Sequence, residues 1–311
     1  MTAPTMRAIQ VRKYGGPEEL KLEVRSRPEP QAGEALLRVH AAGVNPIDWK
    51  LCSGSMKDFR PLTFPYTPGI EAAGVVEAVG AGVTAFAAGQ AVFGRSADGA
   101  YAEYIVIPAE ALALKPERLS FAEAATVPVG ATTAWRALFE YGDLTAGQRV
   151  LIQGAAGGVG LFAVQLAKWR GAHVVATASS ANLDFVRDLG ADAVIDYTTT
   201  RVERVVRGVD LVLDGVGRET LNVSLAALRP GGTLISLAGP PPQEMAQALG
   251  VRALMIRAQP SGGLLQKIAR MIEDGHLKAV AGKTFPLSAA RRAHEYGQRG
   301  HGRGRLVLVV E

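Results

Sequence analysis

Short apolar runs separated by turn residues dominate the first part of the chain. They lie at Met6–Val11, Leu20–Val24, Ala35–Ala41, Gly74–Val79, Ala91–Gly94 and Ala102–Ile107. Glycine, proline and asparagine mark the breaks between them, as at Gly15–Pro17 and Gly43–Pro46. Runs of this length bounded by turn residues predict strands. The pattern over roughly the first 120 residues therefore predicts a small, mainly antiparallel β-barrel-like domain.

After that point the pattern changes to an alternation of strands and helices. Helical spacing at Phe121–Thr126 and Ala131–Tyr141 leads into the new region. Strands are then predicted at Val150–Ile152, His173–Thr177, Ala193–Ile195, Asp210–Asp214 and Thr233–Ala238, with helices at Leu161–Trp169, Asn182–Leu189 and Thr220–Leu228 between them. Repeated strand–helix units predict an α/β fold with a doubly wound parallel sheet.

A glycine-rich turn joins the first of these strands to the helix that follows it. It reads Gly154-Ala155-Ala156-Gly157-Gly158-Val159-Gly160. In this context glycines let a pyrophosphate approach the backbone, and the free N–H groups of the helix start attract its charge. The turn therefore predicts dinucleotide binding through Gly154, Ala155, Gly157, Gly158 and Val159; the alternative is a nucleotide-free α/β domain.

The end of the chain is expected to rejoin the first domain. Pro240–Pro242 forms a rigid break, and helices follow at Leu264–Asp274 and Ala289–Gln298, the second with Ser288 as its N-cap. A final apolar strand, Leu306–Val310, needs a sheet to join. The predicted division is a substrate domain at 1–122, a nucleotide-binding domain at 123–262, and a C-terminal segment at 263–311 that returns to the first domain.

Composition narrows the class of protein. The 311 residues carry a formal net charge of +5, which suits an anionic ligand such as a nucleotide phosphate. The basic residues are scattered, so we expect no nucleic-acid partner. No apolar run approaches the ~20 residues that cross a bilayer, and the first residues lack the apolar core of a secretory signal. We therefore expect no membrane partner and a cytoplasmic location.

Several motifs in order resemble one family. They are Ala42–Asp48, Pro65–Val76, Pro128–Trp135, the glycine turn, Leu211–Gly217 and Gly302–Leu308. Together they are similar to the zinc-independent medium-chain dehydrogenase/reductases, in the quinone oxidoreductase (zeta-crystallin-like) branch. The resemblance implies a GroES-like substrate domain, a Rossmann domain, hydride transfer from a nicotinamide, and a homodimer that pairs the edge strands of two Rossmann sheets.

The metal ligands of the zinc-dependent relatives are missing. Those relatives have a histidine directly before the glutamate of a Gly-x-Glu element, and here that position is Ile70. Cys52 is the single cysteine, which excludes multi-cysteine zinc sites and a disulfide framework. We therefore expect no metal. Without a metal to polarise a carbonyl, acceptors that are already electrophilic are favoured, namely quinones and α,β-unsaturated carbonyls.

The cofactor is predicted to be NADPH. An NAD site usually has an acid at the end of the second strand, about 20 residues past the glycine turn. Here Thr177–Asn182 contains none, and Ser179, Ser180 and Asn182 can donate hydrogen bonds to a 2′-phosphate. The two serines can equally cap a helix. By resemblance, the hydroxyl of Tyr197 contacts the same phosphate.

The resemblance also assigns residues near the rest of the cofactor. Asn45 is placed near the nicotinamide ribose, and Thr133 close to the nicotinamide. The backbone at Ala238 and Gly239 is placed at the carboxamide. Gly215, in the Leu211–Gly217 motif, and Gln259, in the loop that follows Gly239, complete the predicted cofactor site.

The substrate side is predicted around Asn45, Lys50 and Tyr66. Asn45 fits a helix N-cap, while the resemblance places it near the substrate. The ammonium of Lys50 can hydrogen-bond a substrate carbonyl and stabilise an enolate, or it is a solvated lysine on a short helix. Tyr66 can supply a proton, or it packs in its turn. Arg303 and Arg305 can reach a phosphate, but they flank the last strand and are expected to be surface charges.

These inferences favour an NADPH-dependent, zinc-free reductase of quinones or enones. Two alternatives stay open. One is an enoyl-thioester reductase. The other, from a different class, is a non-catalytic NADPH-binding sensor or interaction protein, since such folds host several functions.

Overall fold

The computed structural model describes residues 4–257, 261–300 and 302–310. The strands are β1 (Thr5–Gln10), β2 (Lys21–Ser26), β3 (Glu34–Val44), β4 (Glu71–Val79), β5 (Ala91–Arg95), β6 (Tyr104–Pro108), β7 (Leu112–Leu114), β8 (Arg149–Gln153), β9 (His173–Ala178), β10 (Ala193–Asp196), β11 (Val209–Asp214), β12 (Leu228–Ser236), β13 (Arg252–Met255), β14 (Ala281–Pro286) and β15 (Arg305–Val309). The helices are α1 (Pro46–Cys52), α2 (Phe121–Ala124), α3 (Val127–Trp135), α4 (Gly160–Trp169), α5 (Leu183–Asp188), α6 (Val202–Val205), α7 (Glu219–Ala227), α8 (Gln243–Ala248), α9 (Gly262–Glu273) and α10 (Ala290–Gln298).

The chain divides into two compact units. The first takes its described residues from Met1–Val129, Pro260–Gly275 and Ala279–Glu311. The second takes them from Gly130–Gln259 and His276–Lys278. The chain therefore leaves the first unit and later returns to it.

The first unit is built mainly from antiparallel strands. Among its described residues, the larger sheet has the order β14-β15-β3-β4-β5-β7, with β6 also pairing β3, and β1 pairs β2 separately. The β14–β15 pair is parallel. The last strand, β15, lies antiparallel to β3, with Leu306 opposite Val44. The predicted antiparallel character of this domain is confirmed.

The second unit contains a parallel sheet. The order of its described strands is β10-β9-β8-β11-β12-β13, which by chain position is 3-2-1-4-5-6, the Rossmann order. Val150, Leu151 and Ile152 of β8 are fully buried, as expected for a strand covered on both faces. The predicted doubly wound sheet is confirmed, and its order reverses between β8 and β11.

One local prediction is wrong. Ser288 is not the N-cap of α10: Leu287–Ala289 form a 3-10 turn directly after Pro286, and Ala289 is the capping residue. Pro240–Pro242 follow β12, and the next elements are α8 and β13, which pairs with β12. Pro242 is the N-cap of α8, a position where the backbone is not yet helical.

Candidate active site

The glycine turn lies where the order of the parallel sheet reverses. Gly154 has φ +72° and directly follows β8, and its carbonyl accepts from Gly157 N at 3.1 Å. A Cβ on Gly160 would lie 2.3 Å from that carbonyl oxygen. The first turn of α4 is therefore held against the loop, as a pyrophosphate-binding turn requires.

A buried aspartate orders the neighbouring loop after β11. Asp214 Oδ1 accepts from the N–H groups of Val216 at 2.9 Å and Gly217 at 2.8 Å, and Oδ2 accepts from Ser224 Oγ at 2.7 Å. Asp214 is opposite Gln153, the last residue of β8, in the sheet register. Gly215 is thereby fixed beside the glycine turn.

The end of β12 joins the same edge of the sheet. Leu237 N donates to Asp214 O at 2.9 Å, and Ser236 Oγ donates to Gly239 O at 2.6 Å. A Cβ on Gly217 would lie 2.8 Å from Cβ of Ala238. Predicted cofactor residues Gly215, Ala238 and Gly239 thus lie on adjoining loops.

Thr133 carries an unsatisfied hydroxyl. Its Oγ1 is buried and has no hydrogen-bond partner. Its helix packs on the glycine turn, since a Cβ on Gly130 would lie 2.2 Å from Gly158 O. A polar donor left unpaired in a buried position is suited to a ligand group. The glycine turn and this hydroxyl fit a nicotinamide dinucleotide, while Gln259 lies outside the described residues.

The predicted phosphate donors are engaged with protein groups. Asn182 Nδ2 donates to Ser179 Oγ at 3.1 Å, and Ser180 Oγ donates to Asp196 Oδ2 at 2.5 Å. Tyr197 is 43% exposed and directly follows Asp196. Residues 177–182, which contain no acid, therefore lie beside an acid of the neighbouring strand β10, namely Asp196.

In the first unit, Asn45 is held by an ion pair. It is 2% exposed, its Nδ2 donates to Glu71 Oε1 at 2.8 Å, and its Oδ1 accepts from Arg305 Nη1. Arg305 Nε lies 3.1 Å from Glu71 Oε1. The expectation that Arg305 is a surface charge is wrong: it is 5% exposed, because β15 pairs with β3 and turns this side chain inward.

The carboxylate of Glu71 also binds the start of α3. Its Oε2 accepts from Val129 N at 2.8 Å, one of the N–H groups that a helix start leaves without an intrahelical partner. Gly43 makes room for this carboxylate, since a Cβ there would lie 2.4 Å from Oε1.

A second cluster of buried polar side chains includes Asp48 of α1. Asp48 Oδ2 accepts from Asn45 N at 2.7 Å and from Tyr101 Oη at 2.9 Å, and Tyr101 Oη lies 3.2 Å from His294 Nε2. Burial raises the pKa of the Asp48 carboxyl to about 7, although both hydrogen bonds oppose the shift. Burial lowers the pKa of His294 to about 4. Both groups are thus shifted toward their neutral forms.

The other two predicted substrate residues have different surroundings. Lys50 is half-buried in the last turn of α1. Tyr66 has a buried hydroxyl with no hydrogen-bond partner, and it lines a cavity of about 490 Å³ together with Arg60 and Asp98. Burial raises the pKa of Tyr66, which makes its hydroxyl a weaker acid. Across the described ranges of the chain, Asn45, Lys50 and Tyr66 share no side-chain hydrogen bond with one another.

Two family models match this chain. One, described as an alcohol dehydrogenase GroES-like domain, matches residues 31–117; the other, described as a zinc-binding dehydrogenase, matches residues 189–308. A quinone oxidoreductase of Mus musculus is 36% identical, over 98% of each chain. The solved quinone oxidoreductase of Coxiella burnetii has a TM-score of 0.91 at 32% identity, over 99% of this chain and 100% of that one.

The chain belongs to the quinone oxidoreductase family of the medium-chain dehydrogenases/reductases. It is therefore an oxidoreductase. A mycobacterial protein whose structure was solved in complex with NADPH is 33% identical, with a TM-score of 0.89 over 98% of this chain and 99% of that one. The family implies a nicotinamide cofactor, in agreement with the glycine turn.

The Gly-x-Glu element of this quinone oxidoreductase family member has no histidine beside its glutamate. Ile70, beside Glu71, is an apolar buried residue. Cys52 is buried as well, and burial raises the pKa of its thiol to about 12. Among the described residues, no group of three or more histidine, cysteine, aspartate or glutamate side chains is arranged to hold a metal ion. Within the same residues, no helix has both the length and the apolar character to cross a membrane.

Sequence reasoning missed three acids that organise candidate residues within their own units: Asp196 and Asp214 in the second unit, and Glu71 in the first. Each is the last or first residue of a strand, and each accepts several hydrogen bonds. An acid at the end of an apolar strand is the signal that could have identified Asp196 and Asp214, because strand ends of a parallel sheet meet the ligand.

Proposed function

We propose that the protein is an NADPH-dependent reductase that transfers hydride to quinones or α,β-unsaturated carbonyls without zinc. The observation that carries this proposal is the glycine turn at the reversal of the 3-2-1-4-5-6 sheet, with the unpaired hydroxyl of Thr133 on the helix that packs against it. Ligands of open α/β sheets bind at such a reversal.

The residues of the chain bind and orient. Backbone N–H groups of the glycine turn hold the pyrophosphate, and Gly215, Ala238 and Gly239 line the adjoining loops. When bound, the nicotinamide supplies the hydride. Thr133 offers its hydroxyl to that ring. Lys50 offers an ammonium to the oxygen of the acceptor, where negative charge develops as hydride arrives.

The choice of acceptor follows from the residues available. The position beside Glu71, which is a histidine in zinc-dependent relatives, is the apolar Ile70, so the proposed reaction relies on hydrogen bonds and charge from the protein. A quinone or enone already has an electrophilic carbon and needs less polarisation than a simple ketone. Asn45 is hydrogen-bonded to Glu71 and Arg305, so its side-chain amide is held in a fixed position. Tyr66 contributes a hydrogen-bond donor.

The preference for NADPH is supported by the absence of an acid at the end of β9 and by Ser179 and Asn182 in the loop after it.

A homodimer through the edge strand β13, on which Met255 is 41% exposed, is part of the same proposal. Light scattering after gel filtration should give twice the monomer mass, and Met255→Lys should reduce the measured mass to that of one monomer. A wild-type monomer would contradict the dimer. The cytoplasmic location expected from the sequence stays a prediction.

Steady-state oxidation of NADPH with a panel of acceptors tests the function. The panel contains 1,4-quinones, 2-alkenals and an enoyl thioester. Saturable turnover that is highest with quinones or alkenals supports the proposal, and a strong chelator should leave it unchanged. Higher turnover with the thioester would indicate an enoyl-thioester reductase. NADPH binding without turnover of any acceptor would indicate a sensor, and zinc-dependent activity would contradict the metal-free part.

A further inference from the structure

Asp196 lies next to the loop that should receive the adenosine ribose. It is the last residue of β10 and is opposite Ala178, the last residue of β9, in the parallel register. Strand β9 lies directly beside β8, which leads into the glycine turn. In this fold the end of the second strand is where the ribose hydroxyls of the dinucleotide are recognised. The third strand thus delivers to that place the acid that the second strand lacks.

The hydrogen bonds around Asp196 engage Ser180, one of the donors predicted for a phosphate. Ser180 Oγ donates to Oδ2 at 2.5 Å. Thr198 donates to Oδ1 twice, from Oγ1 at 2.6 Å and from its backbone N at 2.9 Å. A hydroxyl has one hydrogen, so both hydroxyls present lone pairs to a ligand. Such a surface accepts hydrogen bonds from ribose hydroxyls and offers few to phosphate oxygens.

The charge of Asp196 is also retained. The hydrogen bonds from Ser180 and Thr198 lower the pKa of its carboxyl. No lysine or arginine forms an ion pair with it within the described residues. A 2′-phosphate placed at this end of the sheet would therefore meet a carboxylate that has no ion-pair partner among the residues that the structure describes.

We propose that Asp196 is a specificity-determining residue for the adenosine end of the cofactor, which favours the 2′-hydroxyl of NADH over the 2′-phosphate of NADPH. The proposal rests on the proposed use of a nicotinamide dinucleotide and modifies the proposed cofactor preference. Asp196 reduces the advantage of NADPH over NADH in binding and makes NADH a competing hydride donor. Ser180 acts through Asp196 and not as a phosphate ligand.

Direct binding measurements test this without turnover. Isothermal titration gives Kd for 2′,5′-ADP and for 5′-AMP, which differ in the 2′-phosphate alone. Asp196→Asn keeps the shape and removes the charge. We expect the ratio of Kd for 2′,5′-ADP to Kd for 5′-AMP to fall by about tenfold, with the same shift for NADP⁺ against NAD⁺. Asp196→Ser is the second variant and should shift the ratio in the same direction.

The matched control is Asp188→Asn, which removes an exposed negative charge from α5 in the same unit. It should change the ratio by less than twofold. An unchanged ratio in both Asp196 variants, with normal binding of 5′-AMP, would overturn the role of Asp196 and leave the proposed reductase standing. Failure of the wild-type protein to bind either dinucleotide would overturn both proposals.

Discussion

The side chains of Glu71 and Arg305 form an ion pair in the core of the first unit, with Nε 3.1 Å from Oε1 and side-chain exposures of 0% and 4%. The pair joins β4 to the last strand of the chain, and both partners also bind Asn45. Removing one partner of a buried pair leaves an uncompensated charge. The position of Asn45 therefore depends on the same two residues that connect β4 to β15.

Glu71→Gln should lower the free energy of unfolding by about 3 kcal/mol, because it leaves the Arg305 guanidinium buried without a counter-charge. Urea unfolding followed by circular dichroism measures the change. The control is Glu23→Gln, since Glu23 pairs with Arg12, whose side chain is 68% exposed, and a pair of this kind should contribute less than about 1 kcal/mol. Equal effects of the two variants would contradict the assigned importance of the buried pair.

Gly160→Ala should weaken nucleotide binding and also destabilise the second unit. The added Cβ would lie 2.3 Å from Gly154 O and 2.7 Å from Ala155 Cα, so the turn must open. Titration with NADP⁺ and thermal unfolding measure the two effects. Gly263→Ala on α9 is the matched control: its Cβ meets nothing within 4 Å, and in the first turn of the helix alanine should change stability by less than about 1 kcal/mol. Undisturbed binding in Gly160→Ala would show that the turn does not contact the cofactor.

Asp48 and His294 should make contributions of opposite sign to the dependence of stability on pH. Folded Asp48 has a pKa of about 7 against an ordinary 3.8, so between these values the folded state holds more protons and stability falls as pH rises. Folded His294 has a pKa of about 4 against an ordinary 6.5, so between these values the unfolded state holds more protons and stability rises with pH. The two contributions largely cancel in the wild-type protein.

Single substitutions should separate them. In urea unfolding series between pH 4 and 7, Asp48→Asn should make the slope of stability against pH more positive than in the wild-type protein. His294→Gln should make it more negative. Curves that run parallel to the wild-type curve in both variants would show that neither group titrates with a shifted pKa.

Lys50→Met should lower kcat/KM for an enone by about tenfold to a hundredfold, because it removes the proposed donor to the developing enolate. Lys50→Arg, which keeps the charge, should retain part of the activity. Lys57→Met, an exposed lysine shortly after α1, is the control and should behave as wild type. If Lys50→Met matched this control, Lys50 would be the solvated lysine that the sequence also allowed.

The sequence predicted most of the fold for a physical reason. Buried parallel strands such as β8 are continuous apolar runs, and the helices after them carry apolar residues at helical spacing. Both patterns can therefore be recognised within a short stretch of sequence. The three strands it missed, β7, β13 and β14, have weaker patterns: β7 is three residues long, β13 begins at Arg252, and β14 contains Gly282 and Lys283. They pair with β5, β12 and β15 respectively, and such partners cannot be found in a local window.

The part of the candidate site that is a local backbone motif was predicted from the sequence. The contacts that depend on pairing between strands distant in the sequence were missed. The glycine turn is a local feature and was found. Asp196 reaches Ser180 because β10 lies beside β9, and Arg305 reaches Glu71 because β15 lies beside β3 and β3 beside β4. In both cases the side-chain contact follows from strand order, which a search of the residues near a motif does not cover.

Transfer of isotopic hydrogen tests the proposed reaction most directly. NADPH deuterated at carbon 4 on either the R or the S face is incubated with the protein and an enone, and the product is analysed by mass spectrometry and NMR. Hydride transfer from carbon 4 predicts that one of the two labelled cofactors gives a saturated ketone with deuterium at the carbon β to the carbonyl. A reduced product without deuterium from both cofactors, or no reduction of enone or quinone despite bound NADPH, would contradict it.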